Sequence, residues 1–329
     1  MTWRIVAVGA GRMGRGIATA FAYAGHRVAL IDLKARPAED AARLQEEAIA
    51  EIRANLESLA RLGALAPAQV DRIVARVAFV DEAQADAALG AAELVFEGVP
   101  ETRAAKQYAF ERLGRSCRDD TILASTTSSI LVTQLAALVR LPGRFLSVHW
   151  LNPAYLIPVV EMSTHPGTDP VVLERAKALL TSIGKLPVVC GPAPGYIVPR
   201  LQALIMNEAV RMIEEGIASA EEIDKATRFG LGLRFAALGV AEFVDYGGAD
   251  ILFHASGELA QSVDARRYDA PAMLEKMMAA GELGLGTGKG LYDYADRDIA
   301  AYRRDVLSRT LAMVRHAGLW RAASDTTLP

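Results

Sequence analysis

The stretch that decides the fold is residues 4–32, RIVAVGAGRMGRGIATAFAYAGHRVALID. An apolar, β-branched run is followed by a glycine turn, a segment with apolar residues at helical spacing, and a second apolar run that ends at Asp32. The spacing G-x-G-x-x-G alone is a weak signal, but between a strand and a helix it predicts a dinucleotide-binding turn. The glycines with this spacing are Gly9, Gly11 and Gly14.

Each residue of this turn has a separate expected role. Gly9 allows the tight turn, Gly11 lets the backbone approach a pyrophosphate, and Gly14 lets the helix pack closely on the sheet. The free N–H groups at the N-terminus of the helix would face the phosphates. We therefore also expect Arg12 and Met13, which lie between the last two glycines, to contact the cofactor.

The residue at the end of the second apolar run predicts which cofactor is used. Asp32 would accept hydrogen bonds from the ribose hydroxyls, and its charge would repel a 2′-phosphate, so NAD is favoured over NADP. Lys34 and Arg36 stand nearby and could approach a phosphate. The alternative is that Asp32 is only a turn residue at the end of a strand.

The rest of the chain divides into two parts. Strands alternate with helices in units of about 30 residues, which predicts a parallel, doubly wound sheet. The pattern changes at GPAPGY, near residue 191, and everything after it reads as helical. We therefore predict an α/β, Rossmann-type domain over residues 1–192, followed by an all-α domain over residues 193–329 for substrate binding and dimerisation.

Composition and charge exclude several classes of protein. The formal net charge is −3 over 329 residues, with no basic stripe that would bind nucleic acid. No apolar run approaches the length of about 18 residues that a membrane-spanning helix needs. The two cysteines, Cys117 and Cys190, have no metal-binding spacing and form no disulfide framework, which favours reduced thiols in the cytoplasm.

Polar side chains follow three predicted strands at the edge where a ligand would bind: Glu97 and Glu101, Ser125 to Ser129, and His149 with Asn152. Histidine suits the removal of a hydroxyl proton because its pKa lies near neutrality. A carboxylate on the other ring nitrogen would orient it, and Glu161 in the next apolar run is the candidate. The alternative is a satisfied histidine–glutamate pair in the core.

Several motifs together resemble one family over essentially the whole chain. The sequence is similar to the L-3-hydroxyacyl-CoA dehydrogenases in VGAGRMGRGIA, EGVPETRAAK, ASTTSSI, RFLSVHWLNP, PVVEM, PGYIV and TGKGLYDY. The resemblance implies that Ser128 and His149 contact the reacting oxygen, with Glu161 behind His149. It also implies that Glu101 and Lys106 hold the ribose beside the nicotinamide, and that the chain forms a homodimer.

One motif of this sequence resembles a particular branch of that family. HWLNPAYLIPVVEM contains N-P-x-Y-x-x-P-x-V-E, which resembles the lambda-crystallin and L-gulonate 3-dehydrogenase branch and also carnitine dehydrogenases. That resemblance implies a small free hydroxy acid as substrate. Its carboxylate would need a fixed cation, and the candidate is Arg234 in GLGLRFAALG, unless this arginine is simply solvated at a helix end.

Two alternatives to this function remain open. One is a dehydrogenase of short-chain 3-hydroxyacyl-CoA thioesters, and the other is a non-catalytic, crystallin-like protein that binds NAD. Two departures from the family pattern also bear on the substrate. Pro199 and Thr126 stand where the family usually has asparagine, so the site has lost two amide groups.

Overall fold

The computed structural model describes residues 4–321. The chain forms two compact units, the first ending at Ile205 and the second beginning at Met206, within one continuous helix. The boundary predicted from the sequence, between residues 192 and 193, lies in the loop before this helix. Within the described residues, no helix has the length and apolar character needed to cross a membrane.

A single large sheet organises the first unit. Within residues 4–321 it has eight strands, which in chain order are β1 Ile5–Val8, β2 Val28–Ile31, β3 Val77–Val80, β4 Leu94–Glu97, β5 Ile122–Ser125, β6 Phe145–Trp150, β7 Val159–Ser163 and β8 Leu186–Cys190. Their order across the sheet is β3-β2-β1-β4-β5-β6-β7-β8. The predicted Rossmann-type, doubly wound architecture is thus confirmed.

One pair of strands departs from the predicted parallel arrangement. β6 and β7 are antiparallel, whereas every other neighbouring pair is parallel. The connection between them, residues 151–158, is too short for the crossover helix that a parallel pair requires. The chain therefore turns back at the carboxyl edge of the sheet and places β7 directly beside β6.

Helices cover both faces of the sheet and bury two separate apolar cores. Phe21, Phe96 and Trp150 form an aromatic cluster in the core beneath the first two helices, with ring centroids 5.4 to 6.0 Å apart. Phe110 and Phe145 pack edge to face in the other core. The helices of this unit are α1 Arg12–Tyr23, α2 Ala38–Arg61, α3 Val70–Val74, α4 Ala85–Gly90, α5 Arg103–Ser116, α6 Val132–Ala136 and α7 Pro170–Ser182, with α8 Val198–Glu214 crossing into the second unit.

The glycine turn has the geometry that its sequence predicts. Gly9 has a φ of +98°, and a Cβ there would lie 2.5 Å from the Gly98 carbonyl oxygen. A Cβ on Gly14 would lie 2.0 Å from the Gly9 oxygen, so only glycine allows α1 to pack this closely. Nothing lies within 4 Å of a Cβ placed on Gly11, which leaves open space in front of the helix N-terminus.

The second unit is helical, as predicted, apart from a looped segment near its end. Asp245 is 1% exposed and pins that loop by accepting hydrogen bonds from the Leu291 and Tyr292 N–H groups and the Tyr294 hydroxyl. π-helical turns interrupt the α-helices at Ala226–Gly232 and Ala260–Asp264. The α-helices are α9 Ala220–Lys225, α10 Leu233–Ala237, α11 Val240–Gly247, α12 Ala249–Leu259, α13 Ala265–Tyr268, α14 Ala272–Ala280 and α15 Ile299–His316.

Candidate active site

The antiparallel pair of strands brings together the two ionisable residues singled out in the sequence. In the register of β6 and β7, His149 lies directly opposite Glu161. The imidazole Nδ1 is 2.9 Å from the carboxylate Oε2, and the two residues are 5% and 0% exposed. A pair buried to this extent is strongly coupled, because removing one partner would leave the other without compensation.

The carboxylate of Glu161 has a second set of partners. Its Oε1 accepts hydrogen bonds from the backbone N–H groups of Ile197 and Val198, at 2.9 and 2.7 Å, where α8 begins. Because a carboxylate can only accept hydrogen bonds, we assign the ring hydrogen of His149 to Nδ1, which donates it to Glu161. The other ring nitrogen, Nε2, is then the one with a free lone pair.

A tyrosine that the sequence interpretation did not single out completes this cluster. The ring of Tyr196 stacks on the His149 imidazole, with centroids 4.7 Å apart and planes inclined by 11°. Its hydroxyl donates to the Thr127 carbonyl oxygen at 2.9 Å, and its φ of +46° is in the left-handed region. The motif PGYIV contains this tyrosine and was the available sequence signal, but the contact itself depends on this unusual backbone conformation.

The segment that carries Ser128 is held by Glu101. One carboxylate oxygen accepts hydrogen bonds from the N–H groups of Ser128 and Ser129, both at 3.0 Å, and from the Thr127 and Ser129 hydroxyls. Burial opposes the ionisation of Glu101, but these hydrogen bonds and the charge of Lys106 outweigh it and lower its pKa to about 2. The side chain of Ser128 is left exposed at the carboxyl edge of the sheet.

Lys106 is buried among the carboxylates at the end of β4. It is 1% exposed, and its Nζ donates to both carboxylate oxygens of Glu97, at 2.9 and 3.0 Å. The hydroxyl of Ser125 also donates to Glu97, at 2.7 Å. Lys106 therefore fixes the end of β4, while its expected contact with the cofactor ribose stays a prediction.

The adenosine end of the expected cofactor site lies at the end of β2. The Asp32 carboxylate is paired with the Arg36 guanidinium at 2.5 Å and accepts a longer hydrogen bond, 3.4 Å, from the Lys34 N–H. A carboxylate at the end of β2 can accept hydrogen bonds from ribose hydroxyls, which fits NAD. The open space at Gly11 and the free N–H groups of α1 fit its pyrophosphate.

An open cleft of about 290 Å³ brings a predicted cofactor residue close to a predicted substrate residue. Arg12 and Asn152 line it together with Asn55 and Tyr155, and the Tyr155 hydroxyl donates to the Asn55 side-chain oxygen at 3.1 Å. Met13 packs against the apolar core beside this cleft. Among residues 4–321, no group of three or more His, Cys, Asp or Glu side chains is arranged to hold a metal ion.

The remaining predicted residues are spread over both units. Arg234 lies in the second unit, on α10 directly after a π-helical turn, with its guanidinium 5.9 Å from the centre of the Phe243 ring. Pro199 is in the first turn of α8, a position that suits proline. Thr126 is buried beside Gly98 at the end of β5.

Comparison with known proteins matches both units to one family. Residues 4–193 match the model of the 3-hydroxyacyl-CoA dehydrogenase NAD binding domain, and residues 195–294 match that of the corresponding C-terminal domain.

Three similar proteins cover most of the chain. The 5-formyl-3-hydroxy-2-methylpyridine 4-carboxylate 5-dehydrogenase of Mesorhizobium japonicum is 31% identical, over 96% of this chain and 98% of that protein. The 3-hydroxybutyryl-CoA dehydrogenase of Clostridioides difficile is 31% identical, over 88% and 99%. A crystal structure of a 3-hydroxyacyl-CoA dehydrogenase from Archaeoglobus fulgidus has a TM-score of 0.74 and 30% identity, over 96% of this chain and 99% of that one.

The first prediction concerns the cofactor. The wild-type protein should have a higher kcat/KM with NAD than with NADP. Asp32→Ala should raise KM for NAD by roughly 10- to 150-fold, the effect of losing hydrogen bonds to a charged group. The substitution should also reduce the ratio of kcat/KM for NAD to kcat/KM for NADP, because Arg36 would be free to bind a 2′-phosphate. Asp40→Ala, which breaks the exposed pair of Asp40 with Arg43, is the control. Equal values for the two cofactors in wild type would contradict the role of Asp32.

The second prediction concerns the stability of the Ser128 segment as a function of pH. Since folding lowers the pKa of Glu101 from 4.5 to about 2, its charge stabilises the fold above pH 4.5, and this contribution is lost as the pH falls towards 2. Glu101→Gln should lower the free energy of unfolding near neutral pH by about 1 to 2 kcal/mol, a figure discounted for screening because the side chain is 36% exposed.

Urea unfolding between pH 7 and pH 3 measures this difference. The gap between wild type and Glu101→Gln should narrow steadily below about pH 5. Glu174→Gln, which removes an exposed partner of Lys177, should have little effect at any pH. A gap that stays constant over the whole range would show that the charge of Glu101 does not stabilise the segment.

Proposed function

The chain belongs to the 3-hydroxyacyl-CoA dehydrogenase family of NAD-dependent oxidoreductases, and on that premise we propose that it oxidises the 3-hydroxyl of a small free hydroxy acid to a ketone. The observation that carries the proposal is the buried His149–Glu161 pair, which lies at the same edge of the sheet as the glycine turn. When NAD is bound, its nicotinamide accepts the hydride. The residues of the chain must bind the substrate and remove its hydroxyl proton.

We assign the removal of the substrate hydroxyl proton to His149. With its ring hydrogen on Nδ1, the imidazole offers Nε2 as the base. Once Nε2 takes the hydroxyl proton, the imidazolium is stabilised by the negative charge of Glu161, 2.9 Å away. Glu161 itself keeps its position because the two N–H groups at the start of α8 hold its other oxygen.

We assign the binding of the substrate oxygen to Ser128. Its hydroxyl is exposed at the carboxyl edge of the sheet, and its backbone is held by Glu101. A donor fixed in this way can hydrogen-bond the oxygen on which negative charge develops as the proton leaves. Asn152, in the cleft after β6, is proposed to contact the rest of the substrate.

Two observations favour a free acid over a thioester as the substrate. The motif N-P-x-Y-x-x-P-x-V-E favours a free acid, and a relative that covers nearly the whole chain is named for a pyridine carboxylate rather than a thioester. Arg234 is our proposed partner for the substrate carboxylate. Its place after a π-helical turn supports the choice, because such turns occur frequently at functional sites. The alternative is a short-chain 3-hydroxyacyl-CoA, the substrate for which another relative is named.

Dimerisation is also proposed, from the apolar surface of α8. Leu204, Met206 and Val210 are 57 to 59% exposed. Among the described residues of the second unit, the clustered apolar core is small: Ala249, Leu274 and Met277. A cluster of exposed apolar side chains marks an interaction surface more often than a surface that stays in contact with water. The proposed partner for this surface is a second copy of the chain. We also propose a cytoplasmic location, with which the two unpaired cysteines agree.

The third prediction tests the proposed base. His149→Gln should lower kcat by about 10² to 10⁴, the range usual for the loss of a general base, with little change in NAD affinity. Absorbance at 340 nm with a panel of free 3-hydroxy acids and 3-hydroxyacyl-CoA thioesters measures turnover. His165→Gln, which replaces a histidine bonded to the Pro142 carbonyl, is the control. Wild-type turnover in His149→Gln would remove this residue from the mechanism, and no turnover of any substrate by wild type would favour a non-catalytic protein.

The fourth prediction tests the substrate class. Removing a desolvated arginine–carboxylate pair in Arg234→Met should raise KM for the best free acid by roughly 10- to 150-fold. Arg234→Lys should recover part of this loss, because lysine lacks the bidentate fork. Arg228→Met replaces a neighbouring arginine that also lies over a phenylalanine ring and should change KM little. Unchanged KM in both Arg234 variants, or far better turnover of a thioester by wild type, would contradict the free-acid proposal.

The fifth prediction concerns the assembly. Light scattering at micromolar concentration should give twice the mass of one chain for wild type and the mass of one chain for Val210→Glu, because a buried charge would disrupt the interface. Leu62→Glu changes a leucine that is 81% exposed in the first unit and should leave the mass unchanged. A monomeric wild-type protein would contradict the proposed dimer.

A further inference from the structure

The turn formed by residues 195–198 contacts the proposed proton-transfer site in three ways. The ring of Tyr196 covers one face of the His149 imidazole, with centroids 4.7 Å apart. The Tyr196 hydroxyl donates to the carbonyl of Thr127, the residue before Ser128. The two N–H groups that follow in the chain donate to Glu161. A single short turn thus touches the base, the residue that orients it and the segment of the proposed oxygen-binding serine.

We propose that Tyr196 is a positioning residue for proton transfer, whose ring stabilises the protonated form of His149 and whose hydroxyl fixes the segment carrying Ser128. This proposal rests on the proposed function, in which His149 accepts the substrate proton. It assigns two separable roles to one side chain, one to the ring and one to the hydroxyl.

The role of the ring follows from its orientation. The two rings are inclined by only 11°, so the face of the phenol ring is turned towards the face of the imidazole. Tyr196 is 8% exposed and His149 is 5% exposed, so little water competes for that face. A cation on an aromatic face is stabilised most when it is desolvated. Glu161 binds the imidazole at its edge, through Nδ1, so the two partners act on different parts of the same ring.

Charged and titratable groups on the neighbouring elements also influence this cluster. They are Glu161 on β7, Cys190 on β8 and Glu101 beneath the Ser128 segment. The two carboxylates are acidic groups near the imidazole, and burial raises the pKa of the Cys190 thiol. None of these groups covers the face of the imidazole as the ring of Tyr196 does.

The role of the hydroxyl follows from its hydrogen bond to a backbone carbonyl. Burial raises the pKa of Tyr196 to about 12, so the phenol keeps its hydrogen at neutral pH and donates it to the Thr127 carbonyl. The Thr127 side chain donates in turn to Glu101. Thr127 is therefore held through its carbonyl by Tyr196 and through its hydroxyl by Glu101, and Ser128 follows directly.

Backbone geometry agrees with a functional reason for this residue. Gly195 has a φ of +78° and Tyr196 a φ of +46°. A positive φ is costly for a residue with a Cβ, and such residues persist where surrounding contacts hold them. The contacts that hold Tyr196 are those with His149 and Thr127.

Two substitutions separate the two roles. Tyr196→Phe keeps the ring and removes the hydroxyl, so kcat/KM should fall by roughly 2- to 10-fold, the effect of one lost hydrogen bond, while the acidic limb of the pH profile stays in place. Tyr196→Leu keeps the burial and removes the aromatic face. It should lower kcat/KM by roughly 3- to 30-fold and move the acidic limb, which reports protonation of the base, to lower pH.

The matched controls are Tyr23→Phe and Tyr23→Leu. The Tyr23 hydroxyl also donates to a carbonyl oxygen at 2.9 Å, that of Ala64, on an exposed surface of α1. Both controls should keep the wild-type kcat/KM and pH profile. Tyr196→Met supplies a second non-aromatic side chain if Tyr196→Leu does not fold, as judged by circular dichroism and NAD binding.

A titration of the His149 imidazole by NMR separates this proposal from the proposed function. The pKa of His149 should be lower in Tyr196→Leu than in wild type, whether or not the protein turns over the chosen substrate. The proposal is overturned if the non-aromatic variants titrate like wild type, or if Tyr196→Phe loses no more kcat/KM than Tyr23→Phe. By contrast, wild-type turnover in His149→Gln would overturn the proposed function and leave the NMR result for Tyr196 unaffected.

Discussion

The site depends on the hydrogen bonds made by one buried carboxylate. Glu161 is 0% exposed, and its oxygens bind the Nδ1 of His149 on one side and the N–H groups of Ile197 and Val198 on the other. A charge at this depth would be costly without partners on both oxygens. The same interaction therefore orients the histidine and fixes the point at which α8 leaves the sheet domain.

The sheet explains why these groups meet at one edge. Its register aligns Val8 with Glu97, Glu97 with Ser125, and Ser125 with Ser147. The glycine turn, the Ser128 segment and His149 therefore follow neighbouring strand ends. Two further carboxylates hold this edge in shape, Glu97 through Lys106 and Glu101 through the backbone of the Ser128 segment.

Local sequence patterns predicted those parts of the fold that depend on local geometry. The glycine turn could be predicted because the roles of Gly9 and Gly14 follow from steric contact within one strand–turn–helix unit. The pairing of His149 with Glu161 was predicted under both interpretations, a working site and a structural pair, because the two residues lie in consecutive apolar runs. The antiparallel direction of β7 was not foreseen, since it depends on the length of the connection rather than on the composition of the strand.

Long-range contacts could not be predicted in the same way. Tyr196 reaches His149 only because two successive residues have positive φ, and no periodicity in the sequence reports this. The burial of Lys106 against Glu97 was not predicted, since it depends on how closely α5 packs on β4. Helix α7 and edge strand β8, which contains Pro187, were likewise not foreseen.

The central claim is that Glu161 holds the proton of His149 on Nδ1 and leaves Nε2 as the base. The most direct test is the ¹⁵N NMR spectrum of the protein with labelled histidine, recorded above the pKa of the imidazole. We expect the His149 signals of the tautomer protonated at Nδ1 in wild type, and a shift towards the other tautomer in Glu161→Gln, whose amide can donate to Nδ1. A wild-type imidazole protonated at Nε2, with Nδ1 unprotonated, would contradict the account.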